Sequence, residues 1–134
     1  GLCLVGSEMC IRDRYKGKKK IIGICLGFQQ ILYAENAHIV PQKKIYHGYQ
    51  SRVTALKEST LFKPNKVFLA GRYHSLKLKE PFNSLSLKIT MRCVESNVAM
   101  AIEDTINNVY GFQFHPDSFL TVDGKFLIQK VLQF

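Results

Sequence analysis

The chain has 134 residues, 46% hydrophobic and 22% charged, and 19 basic against 10 acidic side chains give a formal net charge of +9. This length suits one domain, and the apolar fraction excludes a largely disordered chain. No run of about 18 apolar residues is present, which excludes a membrane-spanning helix. The N-terminus lacks the basic region of a signal peptide, so we expect a cytoplasmic protein without a membrane partner.

The first 14 residues differ from the rest of the chain. Residues 1–14 show no clear amphipathic period and no turn or cap leading into the segment that follows. The stretch is also similar to the peptide that results when sequencing-adapter DNA is translated. We therefore expect residues 1–14 to be an artefactual stretch outside the domain, and residues 15–134 to form a partial domain.

Positive charge is concentrated early in the chain, where Arg12 to Lys20 include six basic residues and one acidic residue. The only aromatic residue in this run is Tyr15, whereas nucleic-acid binders pair a basic face with stacking aromatic residues or a reading motif. We therefore expect no nucleic-acid partner. A basic nucleic-acid-binding domain remains an alternative that only the net charge favours.

The four cysteines are Cys3, Cys10, Cys25 and Cys93. They form no CxxC pair, and no cysteine–histidine cluster has the spacing of a zinc site. A disulfide framework is not expected in a cytosolic chain of this size. We therefore predict free thiols, no metal and no cofactor, and one thiol is a candidate nucleophile.

The clearest local architecture surrounds Cys25. Lys20 to Cys25 is a short β-branched run typical of a strand that is buried on both faces. From Gly27 to Ala37, apolar residues recur at helical spacing, which predicts a helix directly after the strand. The sequence therefore predicts a strand, a tight turn and a helix, with Cys25 at the turn.

Further segments predict strands through the middle of the chain and a helix at its end. The predicted strands are Arg52–Leu56, Lys66–Ala70, Ser84–Thr90, Val98–Glu103 and Asn108–Phe114, and the predicted final helix is Lys125–Phe134. Strands in the middle and helices at both ends indicate an α/β fold with a substantial antiparallel or mixed portion.

Gly23-Ile24-Cys25-Leu26-Gly27 places the cysteine between two glycines on the predicted turn. A nucleophile on such a turn has a strained backbone, and small neighbours let the chain pack closely around it. We expect the helix N-terminus to lower the pKa of the Cys25 thiol and the Leu26 N–H to donate to a developing oxyanion. The competing interpretation is a small core residue in an apolar strand.

A second chemical motif follows the last predicted strand, where His115 is followed by Pro116 and Asp117. A histidine with a carboxylate two residues further on can supply a general base and the group that orients it. A lone histidine after an apolar strand is otherwise usually structural. Because the cysteine, histidine and carboxylate each follow a strand, we interpret them together as a catalytic triad.

These motifs resemble those of the class I (triad) glutamine amidotransferases. The resemblance covers residues 15–134 and is carried by GICLGFQQ at 23–30, HG at 47–48, GRYHSL at 71–76 and GFQFHPDSFLTVDG at 111–124. It implies a flavodoxin-like α/β fold with a mixed central sheet. Within the family, the last two motifs are most similar to those of the glutaminase subunits of anthranilate synthase and aminodeoxychorismate synthase.

By position, the resemblance implies that Cys25 attacks the side-chain amide of glutamine, that His115 moves the proton, and that Asp117 orients His115. The reaction would form a γ-glutamyl thioester that water hydrolyses to glutamate. The ammonia would pass to a chorismate-using synthase subunit, which makes this subunit the implied partner.

The resemblance also implies which residues bind the substrate. Leu26 and Gln29 match residues of the family's glutamine site, and Ser75 and Leu76 match the pair that holds the amino-acid end of glutamine. His74, in the same motif, is interpreted as scaffold.

The chain departs from the family pattern in ways that bear on activity. Asp117 stands where the family has Glu, so we expect its carboxylate to fall about an ångström short of His115. Family members also carry first strands and a Gly-Pro-Gly-type loop that supplies a second oxyanion donor, and no such loop precedes Cys25. We therefore expect an N-terminally truncated domain. The alternative to an active glutaminase is an impaired fragment or homologue that acts only as a partner-binding module.

Overall fold

The computed structural model describes residues 19–133. The artefactual stretch predicted for residues 1–14, two of the four cysteines and most of the basic run lie outside the described residues. Within residues 19–133 the chain forms eight strands and two helices. The strands are β1 (Ile21–Ile24), β2 (Ile39–Pro41), β3 (Tyr49–Ala55), β4 (Val67–Arg72), β5 (Leu76–Leu78), β6 (Lys88–Cys93), β7 (Ala99–Asp104) and β8 (Val109–Phe112), and the helices are α1 (Leu26–Ala34) and α2 (Gly124–Gln133).

Six of these strands form one mixed sheet in the order β1-β8-β7-β6-β3-β4. β1 and β8 run parallel, and the other neighbouring pairs are antiparallel. β2 and β5 form a separate two-stranded antiparallel sheet. The predicted α/β class with a mixed sheet is confirmed.

The two helices pack on opposite faces of the large sheet. In β8, Val109 joins the cluster of buried side chains that contains Phe28 of α1, whereas the next residue, Tyr110, joins the cluster that contains Leu127 of α2. Successive residues of a strand point to opposite faces, so β8 is covered on both sides. No helix in the described part of the chain is long and apolar enough to cross a membrane.

The predicted strand Ser84–Thr90 is wrong in its first half, because β6 begins at Lys88. The hydroxyl of Ser84 accepts hydrogen bonds from the backbone N–H groups of Ser86 and Leu87 at 3.4 and 3.1 Å. Such side-chain bonds offer the backbone a local turn in place of a ladder. The strand therefore starts later than the apolar pattern indicates.

The predicted helix over Gly27–Ala37 ends earlier, at Ala34. Asn36 takes a left-handed conformation with φ 63°, and the N–H of Ala37 bonds to the carbonyl of Leu32. A left-handed residue of this kind commonly terminates a helix. β2 and β5 were not predicted, because three residues are too few for an alternating pattern to show.

The large sheet curls until its last strand meets the chain that follows β8. Gly71 of β4 and His115 form an isolated antiparallel bridge, in which the N–H of His115 donates to the carbonyl of Gly71 at 3.0 Å. The hydroxyl of Thr121 accepts from the N–H of Gly71 at 2.8 Å and donates to the carbonyl of His115 at 2.6 Å. This link places the chain beyond β8 beside the end of β4.

Two glycines oppose each other where β1 pairs with β8. A Cβ on Gly23 would lie 2.7 and 2.8 Å from the backbone carbon and oxygen of Gly27, at the start of α1. On its register partner Gly111, the three nearest atoms would be side-chain atoms of Ile102 and Phe28, at 2.9 to 3.2 Å. Side chains can move apart, whereas the backbone of α1 cannot without displacing the helix.

We predict that Gly23→Ala lowers the free energy of unfolding by about 3 kcal/mol, because overpacking against backbone cannot be relieved by a rotamer change. Gly111→Ala is the matched control and should lose at least about 1 kcal/mol less. Chemical denaturation of both variants measures the difference. Equal losses would contradict a close backbone approach of β1 and α1.

Candidate active site

Cys25 lies on the turn between β1 and α1, with φ 54° and ψ −100°. This left-handed conformation is strained for a residue that carries a Cβ. It is held by two backbone bonds: the N–H of Cys25 donates to the carbonyl of Phe112 at 2.7 Å, and its carbonyl accepts from the N–H of Gln29 at 3.1 Å. The predicted strand, turn and helix are confirmed, and strain of this kind is typical of a turn that presents a nucleophile.

The thiol of Cys25 is half-buried and is contacted from two other elements. Sγ lies 3.8 Å from the carbonyl oxygen of Tyr73, and Nε2 of Gln113 donates towards Sγ at the same distance. Gln113 is fully buried, and its Oε1 accepts a hydrogen bond from Nε2 of Gln29 at 3.2 Å. A line of side-chain amides thus runs from Gln29 of α1 through Gln113, directly after β8, to the thiol.

Burial raises the pKa of the Cys25 thiol above its ordinary value, while hydrogen bonds from the Leu26 N–H and the Gln113 side chain lower it by less. This corrects the expectation that the helix N-terminus makes the thiolate the favoured form. Loss of water around the sulfur penalises the anion more than the two donors stabilise it. The proton of Cys25 therefore has to be removed by a base when the thiol reacts.

The ring of Tyr73 packs edge to face against the ring of His115, with 5.2 Å between the ring centres. Nδ1 of His115 is 3.4 Å from Oδ1 of Asp117, whose side chain is 71% exposed. Hydrogen bonds between an ionised donor and a carboxylate are about 2.7–2.9 Å long, so this contact is about half an ångström too long. A carboxylate that falls short of His115 is what we expect where Asp stands in place of the longer Glu.

Tyr73 is the residue that joins the two halves of the site. Its carbonyl faces the Cys25 thiol, its ring packs on His115, and its hydroxyl hydrogen-bonds the Ser118 hydroxyl at 2.9 Å. Ser75 and Leu76, the predicted glutamine-binding pair, follow on the same loop, and both are exposed. The structure therefore brings this loop to the Cys25 thiol and leaves the predicted pair open to solvent.

An open cavity of about 450 Å³ lies beside His115 and is lined by Tyr73, His115, Asp117, Ser118 and Phe119. A larger cavity of about 690 Å³ lies elsewhere and includes none of the predicted site residues. The smaller cavity is the better candidate site, because it alone of the two carries a histidine and its carboxylate partner. Among residues 19–133, no group of three or more His, Cys, Asp and Glu side chains could hold a metal ion.

Gln113 and Tyr73 contact the thiol, yet neither was predicted as a site residue. A signal for Gln113 exists in the sequence, where its amide side chain interrupts the apolar run from Val109 to Phe114. A buried amide must find hydrogen-bond partners, and in a strand that ends at a candidate site these are expected to be site residues. Tyr73 contacts Sγ through its backbone, which no sequence pattern reveals.

Comparison with known proteins identifies the family. Residues 4–133 match the family model described as glutamine amidotransferase class-I. The chain therefore belongs to the class-I glutamine amidotransferases. The matched range includes residues 4–14, whose assignment outside the domain stays a prediction.

Several relatives are anthranilate synthase components. Anthranilate synthase component 2 of Lactococcus lactis subsp. lactis is 36% identical over 126 residues, which is 92% of this chain and 63% of that protein. Its counterpart from Helicobacter pylori is 33% identical over 96% of this chain and 64% of that protein. The bifunctional protein TrpGD of Thermotoga maritima is 35% identical over 95% of this chain and 21% of that protein. The chain thus spans less than two thirds of each of these relatives.

Two solved structures share the fold. A Thermoplasma acidophilum protein assigned as a GMP synthase subunit superposes with a TM-score of 0.79 at 19% identity, over 96% of this chain and 62% of that chain. A glutamine amidotransferase from Thermotoga maritima gives a TM-score of 0.68 at 16% identity, over 92% and 55%. At these identities the likeness shows the fold alone.

We predict that alkylation of Cys25 by iodoacetamide keeps accelerating above the pH at which a free cysteine reaches its plateau, because burial raises the thiol pKa. Gln113→Leu removes a hydrogen bond that lowers this pKa, so its rate profile should shift to still higher pH. Peptide mass spectrometry separates Cys25 from the other thiols.

The exposed Gln129→Leu is the matched control and should leave the alkylation profile where it is. If Gln113→Leu reacts with the unaltered profile, the Gln113 amide does not bond the sulfur in solution.

Proposed function

We propose that the chain is the glutaminase part of a glutamine-dependent amidotransferase, and that its ammonia passes to a chorismate-using synthase that makes anthranilate or aminodeoxychorismate. The observation that carries the proposal is the position of Cys25 on a left-handed turn, with its thiol against Tyr73 and Gln113. The relatives named anthranilate synthase component 2 support both the glutaminase role and a synthase partner. The choice between the two products belongs to that partner.

In the proposed first half-reaction, Cys25 gives its proton to His115 as the sulfur bonds to the amide carbon of glutamine. The carbonyl oxygen becomes an oxyanion, to which the N–H of Leu26 donates. The C–N bond then breaks as His115 protonates the leaving nitrogen, so that ammonia departs and a γ-glutamyl thioester remains. Asp117 holds Nδ1 of His115 and leaves Nε2 to carry the proton.

In the second half-reaction, His115 takes a proton from water, and the resulting hydroxide attacks the thioester carbon. The C–S bond breaks, Cys25 regains a proton from His115, and glutamate leaves. Gln29 lies on the first turns of α1 below the reacting sulfur, and Ser75 and Leu76 receive the amino-acid end of the substrate. The buried amide of Gln29 is oriented by its bond to Gln113.

A second candidate is a catalytically impaired module that only binds the synthase. The 3.4 Å separation of His115 and Asp117 favours it, because a poorly oriented base is slower to take the thiol proton. The raised pKa of Cys25 acts in the same direction, since more of the thiol stays protonated.

Acivicin, an electrophilic analogue of glutamine, distinguishes the two functions. A glutaminase should be labelled at Cys25 with saturable kinetics, glutamine should protect it, and Cys25→Ser should remove the label. Iodoacetamide reports whether the thiol is accessible at all. A thiol that reacts with iodoacetamide but shows no saturable labelling by acivicin would support the binding module.

We predict that Asp117→Glu raises kcat for glutamine hydrolysis about tenfold with little change in KM, because the added methylene closes the gap to Nδ1 of His115 and fine positioning is worth large factors in rate. The assay is glutamate release, measured with and without the synthase partner. Asp123→Glu, on an exposed position, is the matched control and should change neither constant. A slower Asp117→Glu enzyme would mean that the carboxylate is already well placed during turnover.

A further inference from the structure

Arg72, the last residue of β4, is fully buried. Its Nε donates to Nε2 of His74 at 2.9 Å, and Nη1 lies 3.4 Å from both the Ser51 hydroxyl and the Cys93 sulfur. The guanidinium carbon lies 3.5 Å from the ring centre of Tyr46, and the buried Nη2 has no hydrogen-bond partner in the described part of the chain. None of these partners is a carboxylate, and a cation buried in this way is a poor source of stability. The buried guanidinium is better explained by the way it positions the side chains that it contacts.

The contact with Arg72 determines where His74 carries its proton. A guanidinium can only donate, so Nε2 of His74 must accept and is unprotonated. The ring proton therefore sits on Nδ1, which donates to the carbonyl of Leu76 at 2.8 Å. Nε2 of Gln42, 3.1 Å from Nδ1, is also a donor and bonds instead to the carbonyl of His74 at 2.8 Å.

Electrostatics keep His74 in this neutral form. Burial lowers the pKa of His74 to about 4, the positive charge of Arg72 adds to the effect, and the hydrogen bond to Leu76 opposes it. At neutral pH the imidazole therefore carries one proton, as the two contacts require.

The carbonyl of Leu76 depends on His74 because β2 cannot serve it. Leu76 pairs with Pro41 in the small sheet, and the ladder bonds on either side join Gln42 to Ser75 and Lys79 to His38. Hydrogen-bonded and non-bonded pairs alternate in an antiparallel ladder, so Leu76 lies in a non-bonded pair and its carbonyl points away from β2. The Nδ1–H of His74 supplies the missing donor.

We propose that Arg72 and His74 are positioning residues that set the conformation of the Ser75–Leu76 pair, and through it the affinity for the amino-acid end of glutamine. The buried guanidinium fixes the tautomer of His74, and that tautomer fixes the carbonyl of Leu76. The inference rests on the proposed function, because it takes Ser75 and Leu76 as the glutamine-binding pair. It gives His74 a defined task beyond scaffold.

Two variants of His74 test separately its contact with Arg72 and its contact with the carbonyl of Leu76; we call these two contacts the relay. His74→Asn keeps an amide donor near the position of Nδ1 and loses the acceptor for Arg72. His74→Gln can keep an acceptor near the position of Nε2 and loses the donor for Leu76. Each should raise the half-saturating acivicin concentration for labelling of Cys25 about tenfold, the usual effect of breaking a buried hydrogen-bond network.

Two further rates, measured on the same samples, distinguish a positioning role from a general loss of structure. The maximal labelling rate and the iodoacetamide rate should stay within about twofold, as for substitutions remote from the chemistry. His38→Gln, an exposed histidine, is the matched control. If both His74 variants keep the original half-saturating concentration, the proposal is overturned, even if their unfolding temperatures fall.

The tautomer itself is measurable without substrate or substitution. Proton–nitrogen correlation NMR of the unsubstituted chain at neutral pH should show His74 protonated at Nδ1 and unprotonated at Nε2. An Nε2-protonated ring or an imidazolium would overturn the relay whatever reaction the site performs. Absence of saturable acivicin labelling in the unsubstituted chain would instead overturn the proposed function, and the NMR result tells the two failures apart.

Discussion

The backbone N–H of His115 donates to the carbonyl of Gly71 at 3.0 Å, and the rest of the site depends on this bond. It joins β4, at one edge of the six-stranded sheet, to the chain that follows β8, near the other edge. Only because the sheet curls in this way can Tyr73 touch the Cys25 thiol with its carbonyl and the His115 ring with its own ring. Thr121 secures the closure by bonding both partners of the bridge. Cys25 and His115 follow the neighbouring parallel strands β1 and β8, and the curl brings the loop that follows β4 beside them.

Two polar systems meet at this loop, and they differ in charge. The line from Gln29 through Gln113 to the Cys25 sulfur is made of neutral amides, so it orients the thiol without forcing it to ionise. Behind the loop, Arg72 brings a full positive charge into the core and donates to the neutral ring of His74. The surroundings of Cys25 thus favour the protonated thiol, because burial raises its pKa more than the two hydrogen bonds lower it.

The parts of the structure that local patterns determine could be predicted from the sequence. The strand, turn and helix around Cys25 follow from a β-branched run, a pair of glycines and a helical repeat, all within about one helix and one strand of chain. The late start of β6 could not be predicted, because it depends on which backbone groups the Ser84 hydroxyl occupies. The curl and the raised pKa of Cys25 depend on contacts between segments far apart in the chain. The sequence predicted that Cys25 directly follows a strand, whereas the distance from His115 to Asp117 depends on side-chain conformations that no sequence pattern reveals.

The sequence separations at the thiol have a consequence for the order of folding. Cys25 meets Tyr73 across 48 positions and Gln113 across 88, whereas β6 and β7 form a hairpin between consecutive strands. Closing long loops loses conformational entropy before any contact compensates, so hairpins of nearby strands form first. We expect the turn at Cys25 to reach its final geometry only when β1 docks against β8 and β4 curls back. This turn is then among the last parts of the described chain to be assembled and among the first to open.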